Sequence, residues 1–208
     1  MVRPRIGRLR IALVSLLLTV SACASGARDM ADAKAAPASE TAVAKAMQPV
    51  SDSARYAGFP LPRPVGFVND FAGVVPAETQ RMLADTLERI QKSTGGDIVL
   101  VTLPDLAGIP SEVIARRIGI EWRIGAQDGP ARHAGVVVLI APKESSSDGR
   151  GYCRIELGDG ATPFISDSLA ASLCRSATPA FVLRNYGEGM RLIALELARR
   201  YRARFGRS

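Results

Sequence analysis

Two uninterrupted apolar runs constrain this chain most. Ile98-Val99-Leu100-Val101-Thr102-Leu103 and Val136-Val137-Val138-Leu139-Ile140 have no polar alternation, so each predicts a strand covered on both faces. Strands of that kind need helices above and below. The segments between and around the runs supply them. A helix opened by Pro76 and Glu78 carries Leu83, Leu87 and Ile90 on one stripe and stops at Gly95-Gly96. A second, with Ser111 as its expected N-cap, aligns Ile114, Ile118 and Trp122. Beyond the second run, Lys143 to Gly149 reads as a solvated turn. Tyr152 to Leu157 then alternates, with Cys153, Ile155 and Leu157 against Arg154 and Glu156. This is a third strand, antiparallel to its predecessor and more exposed. Ser166 or Asp167 caps a helix bearing Leu169 and Leu173 and expected to end near Pro179. Met190, Ile193, Leu197 and Tyr201 mark the last helix. With Val65 to Asp70 as a short extended entry, the order is strand, helix, strand, helix, strand, strand, helix, helix. It predicts an α/β fold, a three-layer sandwich with a small mixed β-sheet flanked by helices.

The first 60 of the 208 residues do not fit that pattern. Arg3, Arg5, Arg8 and Arg10 precede an apolar run, Ile11 to Val20, too short for the ~20 residues of a membrane-spanning helix. Residues 1–22 therefore read as a secretory signal. Val20-Ser21-Ala22-Cys23 resembles the bacterial lipobox, which marks Cys23 for lipidation (palmitate among the acyl chains); cleavage near Ala22, Ala24 or Ala27 by an ordinary signal peptidase is the alternative. Residues 23–60 are Ala/Ser/Pro-rich and short of large apolar side chains, the composition of a flexible tether. The folded domain is then expected over 61–205. These features imply a bacterial cell-envelope protein, periplasm-facing and held to the membrane through Cys23. Ala24 is not the Asp that retains enteric lipoproteins at the inner membrane, which favours the outer one by analogy.

Charge and cysteines exclude several function classes. The formal +7 includes four arginines of the signal, so the remainder carries 23 basic and 20 acidic residues and gives no reason to expect nucleic acid. With Cys23 assigned to lipid, Cys153 and Cys174 remain, an even pair suited to a disulfide in an oxidising compartment, with two free thiols as the alternative. His133 is the only histidine and there is no Cys-x-x-Cys, so zinc sites and histidine-based triads lack material. Gly158-Asp159-Gly160 lacks the third glycine of a dinucleotide fingerprint.

Several landmarks recur in the order of a known domain: Gly66-Phe67-Val68-Asn69-Asp70-Phe71-Ala72-Gly73, Thr94-Gly95-Gly96-Asp97, Trp122-Arg123-Ile124-Gly125, Gly135-Val136, Arg154-Ile155-Glu156 with Gly158 and Gly160, Ser166-Asp167, and Asn185-Tyr186 with Gly189. Over residues 60 to 200 the chain resembles the TPM domain of thylakoid lumen proteins linked to photosystem II repair and of bacterial envelope proteins. The resemblance implies a cleft at the loop ends of the sheet. It also implies acid phosphatase activity or divalent-cation binding (Ca2+ or Mg2+), with Asp70 and Asp167 facing that cleft and Asp159 and His133 assisting. Chemically, two carboxylates can hold a hard cation that polarises a phosphoryl oxygen. The chain departs from the family where His133-Ala134 replaces Asp-Asn, and where Asp159 and Thr162 replace Tyr and Glu in Gly-Tyr-Gly-Leu-Glu-Gly. Two functions follow as expectations. One is a binding or scaffolding module for maintaining a membrane-protein complex. The other is a cation-assisted phosphatase. For Asp70 itself, a turn-capping role stays open beside the cleft role.

Overall fold

The computed structural model describes residues 56–206; the expected signal, Cys23 and most of the expected tether lie outside the described residues. Four strands form one sheet in the order β1-β2-β3-β4: β1 (Val68–Asp70), β2 (Asp97–Thr102), β3 (Gly135–Ala141) and β4 (Tyr152–Leu157). The first three are parallel and β4 runs antiparallel to β3, with Val136 opposite Leu157 and Ala141 opposite Tyr152. The helices are α1 (Ala77–Thr94), α2 (Ser111–Glu121), α3 (Asp167–Val182) and α4 (Tyr186–Phe205). This is the mixed α/β sandwich that the element order implies.

The continuous apolar runs are explained by two cores. Ile98, Leu100, Val136, Val138 and Ile140 face α1, α3 and α4. Their neighbours Val99, Val101, Val137 and Leu139 face α2. Because successive strand residues point to opposite faces, α1 and α2 lie on opposite sides of the sheet. Both β1-to-β2 and β2-to-β3 step the same way across the sheet, so their crossovers have opposite hands. One of the two thus departs from the usual right-handed rule. No helix among the described residues is long and apolar enough to cross a membrane.

Local chemistry sets the ends of the elements, in places not where the sequence signals put them. Pro76 and Pro110 occupy the N-cap positions of α1 and α2, so Ser111 is the first helical residue and caps nothing. Gly95, at φ 72°, closes α1 with its N–H on the Gln91 carbonyl. Pro179 does not end α3, which continues to Val182. The carbonyl that loses its partner to a proline here belongs to Arg175, which is exposed and can bond water instead. The packed chain also begins before residue 61. Phe59 packs on the α2-side core. The Tyr56 and Phe59 carbonyls accept from the Arg117 guanidinium at 2.8 and 3.1 Å. A buried arginine on α2 thus fastens the end of what composition assigns to the tether.

Candidate functional site

Asp70 ends β1, and its carboxylate is turned into the fold. Oδ1 accepts from the Val74 N–H at 3.2 Å and the Thr102 hydroxyl at 2.6 Å; Oδ2 accepts from the Val75 N–H at 2.9 Å and Gln80 Nε2 at 3.2 Å. The Thr102 hydroxyl in turn accepts from the Ala72 N–H. These bonds tie the end of β1 to β2 and to the entry of α1. Asn69 beside it is fully buried, accepting from the Val65 N–H and donating to the Gly66 carbonyl. The Asn-Asp pair therefore builds the bend, and four donors occupy about as many lone-pair sites as a carboxylate has.

The register decides which candidates meet. Asp70 lies opposite Thr102, and Thr102 opposite Ile140, on the upper edge formed by the C-terminal ends of the parallel strands. Because β4 is antiparallel, the residues after it leave from the lower edge, beside Val136. Asp159 and the start of α3 at Asp167 are therefore on the other edge from Asp70. From Thr102 to Asp97 the sheet alone separates the edges by roughly 16 Å. The expected Asp70–Asp167 pair is not assembled.

The lower edge does bring His133 and Asp159 together. They line a cavity of about 480 Å³ with Arg116 and Glu156. The loop after β4 lies directly on the one before β3: Gly158 N–H donates to the Gly135 carbonyl and Gly160 N–H to the His133 carbonyl. A Cβ at Gly160 would fall 2.1 Å from the Arg132 carbonyl oxygen, so these glycines serve backbone contact. His133, exposed and at φ 56°, accepts at Nε2 from Arg132 Nε at 2.9 Å. Thr162, at the family's Glu position, donates to the Asp159 carbonyl. Asp167 is exposed in the first turn of α3, where a negative charge suits the helix dipole, while Ser166 takes the capping bond from the Leu169 N–H. Among the described residues, no group of three or more His, Cys, Asp and Glu is placed to hold a metal ion.

The larger cavity, about 610 Å³, opens at the upper edge on the α3 and α4 side. Ile140, Ala141, Cys153, Phe181 and Tyr186 wall it, and Lys143, Glu144 and Arg184 stand at its mouth. Phe181 and Tyr186 stack with ring centroids 5.6 Å apart. The Tyr186 hydroxyl donates to Glu144 Oε2 at 2.5 Å, and Arg184 Nε reaches Oε1 at 3.0 Å. The Tyr186 bond, aided by Arg184, holds Glu144 below the usual carboxylate range. Burial, then the same bond, pushes the Tyr186 phenol up to about 12. Arg184 sits at φ 58° between α3 and α4, an unfavourable conformation for a non-glycine residue. The wall is held in place by the Cys153–Cys174 disulfide, which joins β4 to α3. Sequence reasoning missed this site. Lys143 and Glu144 look like turn residues, and the hairpin before β4 is the one signal that they flank a strand end.

These features define a small α/β domain with a cavity at each end of one sheet. The TPM domain matches residues 68–200, and the chain belongs to that family. None of the curated proteins compared matches it. Among solved structures, it is similar to the N-terminal domain of a P. gingivalis protein, at 22% identity, TM-score 0.56, covering 66% of this chain and 82% of that one. It is also similar to the N-terminal domain of the cg2496 protein from Corynebacterium glutamicum, at 13% identity, TM-score 0.50, covering 72% and 88%. At these identities the two likenesses concern the fold alone.

Proposed function

We propose that this protein is a lipid-anchored envelope component whose TPM domain works as a binding module for a membrane complex, without phosphatase turnover. The observation that carries the reading is the state of Asp70. Both its oxygens are taken by four internal donors, and the sheet stands between it and Asp167. A cation bridging the two is therefore not available to polarise a phosphate. The upper cavity supplies the binding surface, at the carboxyl ends of parallel strands where open α/β sheets commonly hold ligands. The lipobox and the tether composition support anchoring through Cys23.

Hydrolysis of p-nitrophenyl phosphate at acid and neutral pH, with and without millimolar Ca2+ or Mg2+, tests the reading. The expected rate is that of the blank under all conditions. Cation-dependent turnover that disappears in Asp167→Asn would overturn it.

A further inference from the structure

The wall and the mouth of the upper cavity differ in chemistry, and the difference specifies an occupant. Two hydroxyls stand on this side of the sheet, and the proton of each is already donated: Tyr186 to Glu144 and Thr178 to the Cys174 carbonyl at 2.9 Å. A sugar or a peptide backbone would need hydroxyl donors that this wall no longer has free. An alkyl chain would not. Val182 and Leu183, 74% and 80% exposed, carry the apolar surface outward past the rim. At the mouth, Glu144 is already paired with Arg184 and Tyr186. Lys143 is exposed and has no acidic partner among the described residues. With two cations to one anion, the mouth favours a single negative charge.

We propose that the upper cavity binds a medium-chain carboxylate, its alkyl body against Phe181 and Val182 and its carboxylate at Lys143. The volume, about 610 Å³, lies within the ~300–1,000 Å³ of small-molecule sites. This inference rests on the binding-module reading and names the class of ligand for that module.

Calorimetric titration of residues 24–208, which retain both cores, with hexanoate, octanoate and decanoate below their micellar concentrations tests it. Affinity should rise by about fourfold per added methylene until the cavity is full. Lys143→Ala should weaken decanoate about threefold to fivefold and leave decanol unchanged. Val182→Asp, on the exposed rim, should abolish decanoate binding with an unaltered melting temperature. A flat chain-length series, wild-type decanoate affinity in either variant, or saturation by acetyl-Ala-Ala-Phe with decanoate silent would overturn the proposal. Absence of decanoate binding together with absence of phosphatase turnover would sink this proposal alone; turnover would sink the binding-module reading.

Discussion

Replacing Asp70 by Ala should cost the domain about 3 kcal/mol. The carboxylate accepts four hydrogen bonds, two from backbone N–H groups at the turn before α1, one from Gln80 and one from the Thr102 hydroxyl. Hydrogen bonds to a charged group contribute about 1.5–3 kcal/mol each, but they do not add. The Val74, Val75 and Gln80 donors are only partly buried, and water can reach them once the carboxylate is gone. Thr102 is fully buried, and its hydroxyl, which keeps the Ala72 N–H but loses its acceptor, carries the largest share, about 1–3 kcal/mol. The total is a large fraction of the 5–15 kcal/mol typical of a native domain. Urea unfolding followed by the fluorescence of Trp122, the only tryptophan, measures it. Asp70→Asn should lose less than Asp70→Ala, since its amide oxygen keeps part of the acceptor set while its NH2 faces a donor. A loss below about 1 kcal/mol in Asp70→Ala would refute the assignment of Asp70 to the turn.

Two further outcomes follow from the same structure. The Cys153–Cys174 bond closes a loop with a sequence separation of 21, so the double Ser variant should lose about 3 kcal/mol in the chain-entropy model and melt about 6–12 °C lower by calorimetry. Bonds from Arg199 and Arg200 lower the Glu196 carboxyl from its usual 4.5 to about 2. Because the folded value is depressed, its contribution is full above pH ~4.5 and is lost as pH falls toward 2. Glu196→Gln should therefore flatten the acid limb of the stability profile relative to wild type. The difference is about 1 kcal/mol at most, since Arg199 is well exposed and Arg200 more than a third exposed.

Much of the fold was legible because burial leaves a pattern. β2 and β3 are covered on both faces, so their sequences have no polar alternation, while β4 pairs Arg154 with Glu156 on its partly exposed side and alternates. Helix ends were less legible. Pro179 breaks a helix only where its orphaned carbonyl has no other partner, and the exposure of Arg175 is a tertiary fact. The candidate pair Asp70 and Asp167 failed for a reason that the topology contains. Once β4 is antiparallel, the loop that follows it and the start of α3 lie at the lower edge, away from the end of β1. Motif order specifies a family but not which sheet edge each motif reaches. The upper cavity was hidden for a different reason: Glu144 meets Arg184 and Tyr186 some forty residues later, through a turn whose non-glycine φ no local signal announces.

Asp70 and Asp167, at opposite ends of the sheet, should not share a cation. Titrating 15N-labelled residues 24–208 with Mn2+ and reading the paramagnetic broadening of each amide tests this. At sub-millimolar Mn2+ no common site should broaden the amides around both Asp70 and Asp167. Simultaneous broadening of both groups, lost together in Asp167→Asn, would contradict it.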